Sequence, residues 1–481
     1  MLRSFLALLL LLLVAGCNLG SSGAPVPTTT PVNGVVQSTT LSSPRVIAWN
    51  PNTNTLGWVL QDNNIPLENG VPQRAVVQYC GAAPDGAHVI VAIGGDTAQP
   101  ALYPVNGGER VMLGQTSGLA CTLQKRIYYS PDGKRLGLLQ YTPGATNGNY
   151  VVGTLRILTA EDNKNVYMVN EVTSFEMYDD GVLYTQLYSN GQGQAKTAAL
   201  RWWNGTTEQT LEDPIQSLEN CQIVSARAVR MGEKVYSLLG EKCQNKGSSW
   251  RLMRTDFSGG NSSNIETGQT GGAYFTNAGT NDLWPLAATS EMLVAYPNGL
   301  AADVVNLIRV SLADGTVKNV INSVTIDQYP PSMSRRFLAS PDKQRLIFVT
   351  RDGNGGEALY MYSLLSPDEA PTLIAGGNRS DRINGVAWSA DSQRVYYVLA
   401  SDINALSVFT LAGESKLIVR GIFQGLALSP DGTLAATSEQ VRVDTNDVRN
   451  NLVVIDTTSQ QKTVLVEGGR GESALTPLVV R

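Results

Sequence analysis

Ser429-Pro430-Asp431-Gly432, followed after Thr433 by the apolar stretch Leu434-Ala435-Ala436, is the part of the sequence that best indicates the fold. Proline favours the first position of a tight turn, aspartate accepts hydrogen bonds from nearby amides, and glycine tolerates the positive φ that closes the turn. Copies of the turn occur at Pro84-Asp85-Gly86, Ser130-Pro131-Asp132-Gly133, Ser340-Pro341-Asp342-Lys343 and Ser389-Ala390-Asp391-Ser392. Each copy precedes an alternating apolar stretch, so the pattern predicts repeated β-hairpins.

Three weaker copies, near Asp180, Gly232 and Ser290, fill the gaps and bring the number of turns to eight, spaced 40 to 58 residues apart. A second hairpin follows most of these turns, for example at Leu359-Tyr360-Met361-Tyr362 and Leu452-Val453-Val454-Ile455. Two hairpins per repeat make a four-stranded antiparallel unit. The sequence therefore predicts an all-β protein built from such units, which suits its 47 glycines and 22 prolines.

These turns and hairpins resemble the repeat of TolB-type β-propellers over about residues 44–470. The resemblance implies that residues 44–481 form a single β-propeller domain of four-stranded blades, most readily with eight blades. Seven blades are the alternative, because the repeat at residues 267–300 is the weakest. A further hairpin at residues 46–60 has no turn in front of it, and we expect it to complete the last blade and so close the ring.

The N-terminal residues are typical of an export signal followed by a tether. Residues 1–16 combine Arg3 with an apolar run that is too short to span a bilayer as a helix, so they are predicted to be a signal peptide. Val14-Ala15-Gly16-Cys17 resembles the bacterial lipobox, which implies that Cys17 is lipidated, with palmitate among the attached chains. Residues 17–43 are rich in Ser, Thr, Gly and Pro, which predicts a flexible tether. We therefore expect a lipoprotein anchored to the bacterial membrane outside the cytoplasm, or a freely secreted protein if Cys17 is not modified.

Four further cysteines predict two disulfides in an exported chain. Cys221 and Cys243 lie symmetrically about the turn at Gly232, so they should face each other across a hairpin. Cys80 and Cys121 would then form the second pair. Four buried free thiols are the alternative.

The composition argues against several classes of function. The formal net charge is −5, which is the wrong sign for a typical nucleic-acid binder. His88 is the only histidine, so a Ser-His-Asp triad or a multi-histidine metal site is not expected. The acidic loop from Asp352 to Glu357 departs from the EF-hand pattern and is interpreted as a plain glycine-rich loop. We therefore expect no catalytic residues, no metal, no cofactor and no enzyme activity.

A binding surface is the remaining candidate for a functional site, since the long loops of a propeller lie on one face. Tyr274, Phe275 and Trp284 lie among Gly, Asn and Thr and are the predicted binding residues. The leading hypothesis is a cell-envelope scaffold that binds another envelope protein or an extracellular ligand. The alternatives are a sensor or solute-binding protein for a small ligand or carbohydrate, and a propeller enzyme based on paired carboxylates.

Overall fold

The computed structural model describes most of the chain after residue 127 and shorter stretches before it. The described residues are 10–14, 45–50, 55–61, 67–68, 71–72, 76–82, 88–94, 97–104, 109–113, 116–117, 127–141, 152–189, 195–244, 247–269, 282–286, 289–297, 304–325, 337–351, 355–429, 431–445, 447–468 and 475–480. All regular secondary structure in these ranges is β-strand, which confirms the predicted all-β class. Within the same ranges, no helix has the length and apolar character needed to cross a membrane.

The strands are numbered in chain order. The first thirteen are β1 Leu10–Val14, β2 Arg45–Asn50, β3 Thr55–Gln61, β4 Leu67–Glu68, β5 Val71–Pro72, β6 Val76–Ala82, β7 His88–Gly94, β8 Thr97–Pro104, β9 Val111–Met112, β10 Thr116–Ser117, β11 Ile127–Tyr129, β12 Arg135–Tyr141 and β13 Gly153–Thr159. The next twelve are β14 Asn165–Tyr178, β15 Gly181–Ser189, β16 Ala195–Trp203, β17 Glu208–Gln216, β18 Cys221–Met231, β19 Lys234–Cys243, β20 Gly247–Asp256, β21 Ser262–Gln269, β22 Asp282–Leu286, β23 Glu291–Pro297, β24 Val304–Ser311 and β25 Val317–Thr325. The last thirteen are β26 Leu338–Ala339, β27 Arg345–Arg351, β28 Glu357–Ser363, β29 Thr372–Gly376, β30 Arg382–Trp388, β31 Arg394–Ala400, β32 Ala405–Thr410, β33 Ser415–Arg420, β34 Ile422–Leu428, β35 Leu434–Asp444, β36 Asp447–Asp456, β37 Lys462–Val466 and β38 Leu475–Val480.

The chain divides into two compact units. The first unit comprises residues 1–114, 327–363 and 372–481, and the second comprises residues 115–326 and 364–371. Within the second unit, β18–β21 and β22–β25 each form a run of four sequential antiparallel strands. Within the first unit, β26–β29, β30–β33 and β34–β37 do the same. Four-stranded antiparallel units are what the repeat predicts.

Strand β14 belongs to two four-stranded sets because its two halves pair with different neighbours. Its first half pairs with β13, and its second half pairs with β15, which continues to β16 and β17. Glu171 has a φ of 61° between the two halves, and the pairing registers shift around it. A positive φ and a shifted register are typical of a bulge that bends a strand.

The hairpin formed by β2 and β3 does not complete the last turn-bearing repeat, so that expectation is wrong. The last repeat already has four strands of its own, β34–β37. The hairpin instead lies in a separate sheet with the order β3-β2-β1-β38, which joins the N-terminal strands to the last described strand. β1 falls within the predicted signal peptide, and its removal on maturation stays a prediction.

The serine turns show why the repeat folds as it does. In each of four turns the serine hydroxyl donates to the aspartate two residues on, at 2.5–2.6 Å, and accepts the amide of the residue five positions on, at 2.9–3.0 Å. These serines are Ser130, Ser340, Ser389 and Ser429, and all are at most 3% exposed. The aspartates are therefore used inside the turns, as the sequence predicts.

The fourth position of these turns requires a left-handed backbone. Gly133 and Gly432 have φ values of 72° and 70°, whereas Lys343 and Ser392 adopt 58° and 60° at the equivalent position. Glycine reaches this region without steric cost, and residues with a Cβ do not. The two turns without glycine therefore carry local strain.

The core lies between neighbouring sheets. Trp202 packs in one apolar cluster with Leu183, Leu200 and Leu239, while Trp203 packs in another with Tyr184 and its neighbours. The adjacent tryptophans thus point to opposite faces of β16, as the period of a strand predicts. Burial of such pairs on both faces is what holds consecutive sheets together.

Candidate functional site

Each four-stranded antiparallel set of strands has two ends with different chemistry. The turn end holds the hairpin between its first and second strands, and the loop end holds the link between its second and third strands together with the link to the next unit. Antiparallel order places both of these links at the same end. The long loops expected to bind a partner therefore belong to the loop end.

The structure tests the predicted binding aromatics only in part. Trp284 lies in β22 and is half-buried, and it pairs with Leu293 of β23. Tyr274 and Phe275 lie outside the described residues. The grouping of these three aromatics into one surface therefore stays a prediction.

One of the two predicted disulfides is present. Cys221 and Cys243 are bonded across β18 and β19, with a Cα–Cα distance of 4.0 Å, at the loop end of their sheet. Cys80 lies in β6, but Cys121 is outside the described residues, so their pairing is a prediction. Cys17 also lies outside the described residues, and its lipidation stays a prediction.

Glu241 is a buried carboxylate beside this disulfide. It is 0% exposed, and its Oε1 accepts hydrogen bonds from the amide of Leu218 at 3.1 Å and from Arg251 Nη2 at 2.8 Å. Its Oε2 has no hydrogen-bond partner among the described residues. Burial raises the pKa of Glu241, and the charge of Arg251 opposes this only in part. The carboxylate therefore fixes the incoming loop to the sheet at a desolvation cost.

Arg201 is the centre of a second polar group, between β15, β16 and β17. Its guanidinium donates to Glu208 Oε1 at 3.2 Å, to Asp213 Oδ2 at 2.7 Å and to Gln186 Oε1 at 2.7 Å. Glu208 also accepts the hydroxyl of Tyr184 at 2.5 Å. These groups satisfy one another, so we assign them a structural role.

The first unit has a different arrangement at the loop end of β26–β29 and β30–β33. Glu357 is 9% exposed, and its Oε1 accepts Arg351 Nη2 at 2.9 Å while its Oε2 accepts the amide of Ile383 at 2.9 Å. Asp381 is 2% exposed and accepts both the amide and the side chain of Asn378. Both carboxylates thus bind the link between the two sheets and are withdrawn from solvent.

The next sheet, β34–β37, repeats this use of acids. Asp447 is 7% exposed and its Oδ2 accepts Arg449 Nε at 3.1 Å and Nη2 at 2.8 Å. Glu439 is 6% exposed and accepts Lys462 Nζ at 2.7 Å. Asp447 lies in a polar stretch whose sequence is typical of a solvated loop, but β36 begins at this residue and buries it.

Arginines dominate the exposed side of these three loop ends. Four of them are exposed and form no ion pair with any described residue: Arg379, Arg382, Arg420 and Arg442. No lysine occurs among the described loop-end residues of these sheets. The exposed acids are Asp402, Asp444 and Glu467, and the last two lie close enough to Arg449 to raise its pKa together with its main partner Asp447. The described loop-end residues of these sheets hold six arginines and six acids, so their formal charges cancel, and what marks the four arginines is that they are exposed and have no carboxylate partner among the described residues.

Exposed aliphatic side chains lie beside the arginines. They are Ile403, Ile422 and Val443, which are 51%, 41% and 56% exposed. The amide of Gly421 donates to the carbonyl of Asn404 at 3.0 Å, and Asn384 donates to the carbonyl of Phe423 at 3.2 Å. These contacts hold the segments that carry Ile403, Ile422 and Arg382 close to one another. We call the four arginines and three aliphatic residues the arginine face.

The arginine face has the properties of a binding surface. Arg382 Nη1 donates to the carbonyls of Arg379 at 3.3 Å and Asp381 at 2.7 Å. A guanidinium group without a carboxylate partner can bind a carboxylate or phosphate in two-point geometry. No group of three or more His, Cys, Asp or Glu side chains in the described part of the chain is arranged to hold a metal ion. Asp352, from the acidic loop considered above, lies outside the described residues.

The chain was compared with known proteins. No family model matches it, and no curated protein matches it. A solved eukaryotic initiation factor is similar at 12% identity with a TM-score of 0.47, over 88% of this chain and 94% of that one. The β-propeller domain of the Trilobed protease from Pyrococcus furiosus is similar at 11% identity with a TM-score of 0.38, over 71% and 98%. TolB from Acinetobacter baumannii is similar at 12% identity with a TM-score of 0.27, over 72% and 84%.

The expectation that the chain is not an enzyme is corrected by these comparisons. Similar structures include, by name, an oligogalacturonate lyase and prolyl endopeptidases, at 11% and 12% identity with TM-scores of 0.39. None of those activities is carried over to this chain, because similarity at this level concerns the fold alone.

Sequence reasoning did not find the arginine face. Its residues come from separate repeats. Arg382 begins β30, Arg420 ends β33, Arg442 lies near the end of β35, and Arg379 lies in the link before β30. The acids Glu357 and Asp381 occupy equivalent positions at or beside strand ends, so the sequence does not distinguish them from the arginines. Only the folded structure shows that those acids are buried and the arginines exposed.

Proposed function

We propose that this protein is a lipid-anchored β-propeller of the bacterial cell envelope that binds a partner outside the cytoplasm through its arginine face. The signal peptide, the lipobox at Cys17 and the disulfide between Cys221 and Cys243 support an oxidising, extracytoplasmic location. The turn-bearing repeats support one blade for each of the eight turns, and the hairpin of β2 and β3 together with β38 lies outside these repeats.

The observation that carries the proposal is the separation of charge at the loop end. Glu357, Asp381 and Asp447 are buried and hydrogen-bonded, while the arginines beside them are exposed and lack carboxylate partners. An arrangement made only for stability would pair these arginines with the nearby acids. Exposed arginine next to exposed aliphatic side chains is instead typical of protein-binding surfaces.

Site-specific photocrosslinking on intact cells tests this proposal. A photoreactive amino acid replaces Ile422 on the arginine face or, as a control, Lys343 at the turn end of the sheet β26–β29. We expect one envelope component to be captured and identified at Ile422 but not at Lys343. Equal capture at both positions, or none at Ile422, would contradict the proposal.

The anchor is tested separately. In the Cys17→Ala variant we expect the protein to leave the membrane fraction while its unfolding midpoint stays unchanged. Retention of this variant in the membrane fraction, after washing with high salt, would contradict the lipid anchor.

A further inference from the structure

The arginine face has a composition that selects among anionic partners. Its four exposed arginines can each bind a carboxylate or phosphate in a planar, two-point geometry, which a lysine cannot do. Three aliphatic side chains, 41–56% exposed, lie among them. A partner that satisfies both kinds of group must carry acidic groups and apolar groups.

We propose that the arginine face binds an acidic peptide segment with aliphatic side chains, supplied by another protein of the cell envelope. This inference rests on the proposed function and names the chemistry of its partner. Protein interfaces are enriched in arginine and depleted in lysine, which is the composition of this face. Uronate polymers and anionic headgroups offer charge, but they offer no aliphatic side chains to cover Ile403, Ile422 and Val443.

The tether of this chain does not supply such a segment. Residues 18–43 contain no charged side chain, so they cannot neutralise the arginines. We therefore assign the segment to another molecule and not to the tether. Its docking would bury the three aliphatic residues at the loop ends of β30–β33 and β34–β37, where Asn384 and Gly421 already hold the two sheets together.

Binding of defined probes to the purified mature protein tests this proposal. The main probe is a short fluorescent peptide of alternating Glu and Leu, followed by anisotropy. Peptides with Lys in place of Glu, or Ser in place of Leu, separate the contributions of charge and apolar contact. Alginate and phosphatidylglycerol vesicles represent the other anionic partners, and sedimentation of the free protein detects binding of a second copy.

Two sets of variants locate the binding surface. Arg382→Glu with Arg420→Glu reverses charge on the face, and Lys343→Glu makes the same kind of change at the turn end. We expect the double variant to weaken binding of the Glu-Leu peptide about ten-fold or more, and Lys343→Glu to change it less than two-fold. Ile422→Ser, at an exposed position, should weaken binding without moving the unfolding midpoint.

The outcomes separate this inference from the proposed function. The inference is supported if the Glu-Leu peptide binds and if both the arginine double variant and Ile422→Ser weaken that binding. Preferential binding of alginate or vesicles, formation of a dimer through this face, peptide binding insensitive to the variants, or no peptide binding overturns it. If crosslinking at Ile422 still captures an envelope component in those cases, the proposed function stands and only the partner chemistry is wrong.

Discussion

The turn end and the loop end of the same sheets use carboxylates in opposite ways. At the turn end, Asp132, Asp342, Asp391 and Asp431 accept hydrogen bonds from a serine and an amide within five residues of sequence. At the loop end, Glu241 and Glu357 are buried and accept hydrogen bonds from amides 23 and 26 residues away. These turn-end carboxylates therefore make local contacts, whereas the two loop-end carboxylates accept amides from residues far away in the sequence.

This difference indicates what each end of a sheet contributes to the molecule. A local turn folds from its own residues, so its polar groups are satisfied before the sheets meet. The loop end buries acids where neighbouring sheets join, and exposed arginines such as Arg420 then have no carboxylate partner among the described residues. We infer that the turn end serves stability and that the loop end serves both assembly of the sheets and recognition.

Truncation of a buried loop-end acid should have the largest effect on stability. In Glu241→Ala, Arg251 and the amide of Leu218 lose their partner at a site with almost no exposure. We expect the free energy of unfolding to fall by about 3 kcal/mol, measured by urea denaturation. Glu233→Ala, an exposed acid of the same sheet, should change it by less than about 0.5 kcal/mol. Equal effects of the two changes would contradict a special role of the loop end.

Loss of a turn serine should have a smaller effect. Ser429→Ala removes the hydroxyl that donates to Asp431 at 2.6 Å and accepts the amide of Leu434 at 2.9 Å. We expect a loss of about 1 kcal/mol in the same urea experiment, because the exposed end of the turn lets water replace part of these bonds. The exposed Ser415→Ala serves as the control. A loss as large as that of Glu241→Ala would remove the distinction between the two ends.

Relief of backbone strain in a turn should raise the free energy of unfolding slightly. Lys343 has a φ of 58°, so Lys343→Gly should raise the free energy of unfolding by about 0.5 kcal/mol. The reverse change, Gly432→Ala, should lower it by about 1 kcal/mol. A Cβ at Gly432 would meet only an ordinary contact at 3.5 Å from Tyr396, so the loss would come from the backbone. Destabilisation by Lys343→Gly would show that the turn is not strained.

The two ends should also respond to pH with opposite sign. Hydrogen bonds from Ser389 and from the amide of Gln393 lower the pKa of Asp391 below 3.8, so its contribution to stability is present above this pH and is lost as pH falls. Burial raises the pKa of Glu241 above 4.5, so its contribution falls as pH rises past 4.5. Unfolding of wild type against Asp391→Asn and Glu241→Gln, measured from pH 3 to 7, should give differences that change in opposite directions. Differences that change in the same direction would contradict these assignments.

The sequence predicts the turn end well and the loop end poorly, for a physical reason. The turn at Ser429 is specified by residues in contact along the chain, and the facing of Cys221 and Cys243 follows from their symmetry about one hairpin. The ion pair of Glu241 with Arg251 and the bond from Ile383 to Glu357 depend on how strands and repeats meet, which no local pattern encodes. The same limit explains why the hairpin of β2 and β3 was assigned to the wrong sheet.

Hydroxyl-radical footprinting on intact cells tests the central claim most directly. It compares oxidation of exposed aliphatic side chains in the native envelope with oxidation in the purified protein. We predict that Ile403, Ile422 and Val443 are protected in cells, while Leu373, Leu417 and Val464 are oxidised equally in both. These three controls lie in the last strands of the same sheets and are 50%, 41% and 43% exposed. Equal oxidation of the arginine face in cells and in the purified protein would contradict its role as the binding surface.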